Sequence, residues 1–180
     1  MSEIDDAARV RECLAGDPQA FAGLVEQYEK PVYNVALRML RNSEDARDIA
    51  QTVFMKAYQN LASYDPQFKF YSWIYRMAIN ESLNILRVRG RNAGPVDERF
   101  PEDGAGPSEL LAGDQSREAV LEAVGRLKPE HRAVIVLKYF VDRNYDDMGE
   151  ILGIDAKTVK SRLYTARQLL KDHLSSRGVL

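Results

Sequence analysis

Apolar residues in this chain recur every three or four positions along almost its whole length, and the pattern fails over only one long stretch. In the first half the rows run Phe21, Leu24, Val25, Tyr28 and then Val32, Val35, Ala36, Met39, Leu40, the spacing of a helix with one buried face. No strand-like alternation competes with it. After the break Arg41-Asn42-Ser43, Ser43 is a suitable N-cap for a helix over 44–61, on which Ile49, Val53, Ala57 and Leu61 form a stripe four residues apart. A loop containing Asp65-Pro66 precedes a third helix over about 72–89. From 92 to 116 the periodicity dissolves into Pro95, Pro101, Gly104, Gly106, Pro107 and Gly113 among Asp97, Glu98, Glu102, Asp103, Glu109 and Asp114, which reads as a linker. Periodicity resumes at Val120, Val124 and Leu127, stops at Pro129 and continues through Val134, Ile135, Leu137 and Lys138. The expected fold class is therefore all-α, with two small helical domains at 1–91 and 117–180 joined by a flexible acidic linker over 92–116. As a coil of about 25 residues, that linker spans roughly 25 to 30 Å on average.

Several function classes are excluded early. The chain has 45% hydrophobic and 29% charged residues, a globular balance, and no apolar run approaches the roughly 20 residues of a membrane span. Its opening, Met1-Ser2-Glu3-Ile4-Asp5-Asp6, is acidic where an export signal is basic and then apolar, so the expected location is the cytoplasm. Cys13 is the single cysteine and is expected to pack as a small apolar residue. His131 and His173 stand apart with no ligand spacing around them. Gly104-Ala105-Gly106 sits in the linker and makes no phosphate loop. No catalytic constellation, metal site or cofactor motif is visible, so the expectation is a protein that is not an enzyme and needs no cofactor.

The net charge of -2 conceals a strong local pattern. Between 69 and 91 lie Lys69, Arg76, Arg87, Arg89 and Arg91 against Glu81 alone, and between 156 and 171 lie Lys157, Lys160, Arg162, Arg167 and Lys171 with no acid. Two basic stretches flank an acidic one, which points to nucleic acid.

Residues 144–163 have the grammar of a helix-turn-helix. Asn144 can cap a first helix, Gly153 supplies the left-handed residue that ends it, and Asp155 can cap a second. At 100° per residue Val159, Leu163, Ala166 and Leu170 fall on one inward face, which turns Lys157, Lys160, Ser161, Tyr164 and Gln168 outward. Together with Thr158, Arg162 and Arg167 on the same helix, these are the candidate duplex-reading residues: cations for phosphates, and hydroxyl, amide and aromatic groups for base edges. Tyr164 can face a base or pack along the helix flank. A helix-turn-helix also serves repressors and response regulators, so the role must come from the first domain.

There, Phe68, Lys69, Phe70, Tyr71, Trp73, Arg76, Asn80, Asn84 and Arg87 interleave rings with cations and amides. That chemistry suits unstacked single-stranded bases, with rings for stacking and cations along the backbone. Trp73, Ile74 and Met77 also suit a core, and that reading is the favoured one for those three.

With these segments in order, the chain resembles the extracytoplasmic-function branch of the bacterial sigma factors. Residues 45–54, Asp-Ala-Arg-Asp-Ile-Ala-Gln-Thr-Val-Phe, resemble region 2.2, and the resemblance implies that Asp45, Asp48, Ile49, Gln51 and Phe54 dock on the beta-prime clamp coiled coil of core RNA polymerase. Residues 68–87 resemble regions 2.3 and 2.4, which open the -10 element and capture a flipped base. Leu127-Lys128-Pro129-Glu130-His131-Arg132 followed by the helix-turn-helix resembles region 4, which reads the -35 element and touches the beta flap. Thr52 stands where the family usually carries an acid, Met148-Gly149 replaces the usual Ile-Ala, and Asp155 stands where a proline is frequent. The implied function is an alternative sigma factor that directs polymerase to promoter DNA, with an anti-sigma protein as a further implied partner. The rival is a conventional helix-turn-helix regulator, which requires a ligand pocket or an apolar dimer face in the first domain.

Overall fold

The computed structural model describes residues 3–92 and 112–176, and every regular element among them is helical. The expected linker lies outside the described residues from 93 to 111, as does the side chain of Arg91. Helices α1 (Glu3–Leu14), α2 (Pro18–Leu40), α3 (Ser43–Gln59) and α4 (Phe70–Asn92) form the first bundle. Helices α5 (Ala112–Arg126), α6 (Pro129–Ile135), α7 (Tyr145–Leu152) and α8 (Ala156–Ser175) form the second.

Local chemistry fixes most boundaries. Asp17 accepts from the Gln19 amide and Pro18 opens α2, while Arg41 ends it in the left-handed region at φ 56°, where its amide donates to Leu37. The cap of α3 is Asn42 and not the expected Ser43: its side-chain oxygen accepts from the amides of Glu44 and Asp45. Both residue types cap well, and the one with a carbonyl reaching two donors holds the position. α4 begins at Phe70, two residues ahead of the expected start. α5 begins at Ala112, inside the stretch read as linker.

The buried stripes follow the sequence periodicity. Leu24, Val32, Val35, Ala36 and Met39 of α2 meet Ile49, Val53 and Ala57 of α3 and Ile74, Ala78 and Ile79 of α4. Truncating a fully buried residue such as Leu24 to Ala costs about 2–5 kcal/mol. α1 is held by a buried carboxylate, since Asp6 accepts from the Tyr28 hydroxyl at 2.5 Å and from Gln27 Nε2 at 3.0 Å. In the second bundle Val134, Ile135 and Leu137 pack with Met148, Ile151, Val159, Leu163 and Ala166. Leu170, assigned to that inward face, is only half-buried, and Leu174 one turn later is buried instead. Between α6 and α7 the chain makes a π-helical turn over Val136–Phe140.

The two bundles share a core and pack against each other. Buried Arg132 on α6 donates to the carbonyls of Gly125 and Leu127 in its own bundle and of Met39 at the end of α2. Burial, followed by the nearby Arg41 charge, lowers the Arg132 pKa to about 10. Arg38 of α2 lies 4.7 Å over the Phe140 ring.

Candidate nucleic-acid interface

Three surfaces carry the sequence-predicted residues. On α3, the Asn42 cap starts the helix in a phase that exposes Asp48 and Gln51 one turn apart. Asp45 beside them is partly covered, with its carboxylate 2.7 Å from Arg89 on α4. A groove of about 390 Å³ between α3 and α4 is lined by Asp48, Ile49, Thr52, Asn84, Val88 and Arg89, among others. Ile49 and Phe54, named as docking residues, are 4% and 8% exposed and belong to the core, with Ile49 also reaching the groove lining. Their place is on the buried side of α3, where they set the position of the helix.

On α4, Asn80 and Asn84 face solvent one turn apart, and Arg87 donates to the Asn84 side-chain oxygen at 2.9 Å. Phe68, on the loop before the helix, is 52% exposed, and its carbonyl accepts from the Tyr64 hydroxyl at 2.6 Å. Trp73 is half-buried in a ring cluster, 5.4 Å from Tyr64 and 5.8 Å from Phe70 between centroids. Phe70 points inward against Tyr28 and is only 2% exposed.

The remaining residues of that set meet the second bundle. Tyr71 is buried, donating its hydroxyl to Asp147 Oδ2 at 2.9 Å, and Lys69 Nζ lies 3.4 Å from Asp147 Oδ1. Burial, followed among the causes that raise it by the hydrogen bond to Asp147, raises the Tyr71 pKa. Arg143 stacks its guanidinium 4.4 Å from the Tyr71 ring centre. Arg76 donates to the Glu150 carbonyl at 2.8 Å and to the Ile151 carbonyl at 3.4 Å, so its charge sits at the negative end of α7. Sequence reading missed Asp147 and Arg143. The pair Asp146-Asp147 at the start of a helix has a sufficient local explanation in the helix dipole, and nothing local reveals a partner 78 residues away.

The helix-turn-helix has the caps its sequence calls for. Asn144 accepts from the Asp147 amide, Gly153 is left-handed at φ 68°, and Asp155 accepts from the Thr158 amide at 2.7 Å and hydroxyl at 2.9 Å. Those bonds, the Thr158 amide first, hold the Asp155 carboxyl below its ordinary pKa. The turn is tight: a Cβ on Gly149 would lie 2.7 Å from the Ile154 carbonyl oxygen. On α8, Lys157, Lys160, Ser161, Tyr164 and Gln168 are exposed while Val159, Leu163 and Ala166 are buried. Thr158 and Arg162 are half-buried, and Thr158 is committed to the cap. Arg167 donates to the Tyr139 hydroxyl at 2.7 Å. Tyr164 is 65% exposed and points outward. Lys138 and Lys160 approach one ring, Tyr145, at 5.7 and 5.4 Å, and so gather positive charge at the start of α7.

Comparison with known proteins agrees in order and extent. The Sigma-70 region 2 family matches residues 24–92, and the Sigma-70 region 4 family matches residues 117–170. The ECF RNA polymerase sigma factor SigW of Bacillus subtilis is 32% identical over 177 residues, covering 92% of this chain and 95% of its own. The ECF RNA polymerase sigma-E factor of Escherichia coli K12 is 31% identical over 182 residues, covering 94% and 95%. Among solved structures, CnrH in complex with the cytosolic domain of CnrY superposes with a TM-score of 0.72 at 23% identity, covering 97% of both chains. The sigma factor RpoE of Bartonella quintana, solved with the anti-sigma factor NepR, gives 0.70 at 24% identity, covering 86% of this chain and 96% of that one. Two family matches in the right order, and relatives aligned nearly end to end, establish that this chain belongs to the extracytoplasmic-function sigma factors, the promoter-recognising alternative sigma factors that bind RNA polymerase.

Proposed function

We propose that the work of this sigma factor divides between residues 1–91 and 117–180. The first domain docks on the beta-prime clamp coiled coil through the Asp48 and Gln51 face of α3, with Asp45 and its Arg89 partner at the edge of the same groove. It then holds the opened -10 strand along Phe68, Asn80, Asn84 and Arg87, with Lys69, Tyr71 and Arg76 joining once α7 is displaced and Trp73 backing the row. The second domain lays α8 in the major groove at -35 with Lys157, Lys160, Ser161, Tyr164 and Gln168 toward DNA, Arg162 and Arg167 toward the phosphates, and touches the beta flap. Polymerase supplies the catalysis, and the chain is not itself an enzyme. It works in the cytoplasm, and no helix among the described residues is long and apolar enough to cross a membrane. An anti-sigma protein is a further partner, by analogy with the two structural neighbours that were solved with binding partners.

The observation that supports this reading best is the sidedness of α8. Val159, Leu163 and Ala166 are buried, while Lys157, Lys160, Ser161, Tyr164 and Gln168, with no acid among them, face solvent from a capped helix-turn-helix. The test for the first domain is a core-binding titration of Asp48→Ala/Gln51→Ala. Affinity should fall by about tenfold, the weight of one or two well-placed polar contacts at an interface, with the helical spectrum unchanged. Unaltered affinity removes the α3 assignment. For the -10 strand, Asn80→Ala should reduce permanganate-detected opening more than initial promoter binding, and equal opening removes Asn80 from the strand site.

A further inference from the structure

We infer that the free chain covers its own -10 surface, with Asp147 of α7 standing where a DNA phosphate would stand. This inference rests on the proposed -10 assignment and deepens it. Three members of that set, Lys69, Tyr71 and Arg76, are occupied together by one short helix of the other domain. Lys69 and Tyr71 converge on the two oxygens of a single carboxylate at 3.4 and 2.9 Å. An anion held by an ammonium and a phenolic hydroxyl is the arrangement a backbone phosphate would meet on the same residues. Arg76 is satisfied separately, by the last carbonyls of α7. The Tyr71 ring, a candidate stacking platform, is covered by the Arg143 guanidinium at 4.4 Å.

The geometry excludes this state from the promoter complex. α7 is the first helix of the -35 reader, and α4 carries the -10 reader. DNA sites a turn or more apart are separated by at least about 34 Å along the duplex, whereas these two helices are within hydrogen-bond distance. The domains must part before both elements are read, and parting exposes Lys69, Tyr71 and Arg76 at the same moment. Two further ties close the same interface, Arg132 to the Met39 carbonyl and Arg38 over Phe140. A cleft of about 220 Å³ lined by Pro31, Asn34, Val35, Tyr75, Phe140 and Val141 also lies between the two bundles.

The test compares Asp147→Ala with Asp146→Ala in the full chain. Asp146 is the exposed neighbour, so its replacement removes the same charge from the same helix end. The probe is a fluorescein-labelled pool of short random single-stranded DNA, suitable because phosphate contacts tolerate sequence. Asp147→Ala should raise the affinity of the free chain for the pool about tenfold, the worth of one charge-assisted hydrogen bond, and increase the radius of gyration in X-ray scattering. Asp146→Ala should behave as the parent in both. In holoenzyme, where the domains are already apart, parent and Asp147→Ala should bind the pool equally, which also reports that the variant is folded. If Asp147→Ala and Asp146→Ala raise affinity alike, or neither does, the covering role of Asp147 is overturned. If Lys69→Ala and Tyr71→Phe holoenzymes hold the pool as tightly as the parent, the -10 assignment beneath it fails instead.

Discussion

Gly149 lies at the tightest point of the helix-turn-helix, and replacing it with Ala should weaken the fold although Ala is the better helix former. The added Cβ would stand 2.7 Å from the Ile154 carbonyl oxygen and 3.7 Å from the Ala156 amide nitrogen. Both neighbours are backbone, and the Gly149 carbonyl itself is tied to the turn through the Ile154 amide at 3.0 Å. Ordinary contact requires the turn to retreat by about 0.7 Å, and overpacking of this kind costs roughly 1–3 kcal/mol. The helical preference for Ala over Gly returns about 1 kcal/mol, so the net loss is up to about 2 kcal/mol. For a chain of this length that lowers the melting temperature by up to about 8 °C. Gly90 of α4 provides the control, because nothing lies within 4 Å of its Cβ position. Gly90→Ala should hold or raise the melting temperature. Thermal unfolding of the three chains by circular dichroism decides the matter, and a Gly149→Ala chain as stable as Gly90→Ala would refute the claim that backbone crowding fixes the turn.

Two more predictions concern α8. Lys160→Ala should weaken holoenzyme binding to all -35 sequences alike and reduce the salt slope by about one unit, while Ser161→Ala should cost up to about 1–3 kcal/mol at particular bases only. A panel of -35 variants at several salt concentrations separates them, and a Lys160→Ala chain that changes base preference at constant slope would reverse the roles. Asp155 gives a pH dependence. Its folded carboxyl titrates below the usual 3.8, so its contribution is in full above that value and is lost as the pH falls through the lower folded value. Asp155→Asn should cap α8 without this step, and parent and variant should therefore diverge in helicity only below about pH 4. Identical acid profiles would show that the cap does not titrate.

What the sequence revealed and concealed divides by distance along the chain. Asn144, Gly153 and Asp155 were legible because a cap or a left-handed turn is decided within a few residues. The stripes Ile49-Val53-Ala57 and Val159-Leu163-Ala166 were legible because burial repeats with the helix. Asn42 against Ser43 was an error of one residue between two competent caps. The burial of Phe54 and Phe70 was less legible, because resemblance to a binding segment identifies a helix, and only its phase in the bundle says which side chains reach the surface. The start of α5 at Ala112 was hidden by Gly113 and Asp114, which read as linker although Ala112 to Arg126 is helical. The meeting of Lys69 with Asp147 was not legible at all, because it joins two domains through residues that each have adequate local explanations.

The contact between α4 and α7 also joins equilibria that act on different surfaces. A strand that binds only the uncovered α4 and a polymerase that binds only the parted domains both draw on the same open population. Linkage then requires each to tighten the other by one common factor, bounded by the ratio of closed to open chains, although they need share no residue. Strand capture and retention on polymerase become reciprocal, so a substitution at Asp147 that frees the open form, though it touches neither ligand, would tighten both by the same proportion.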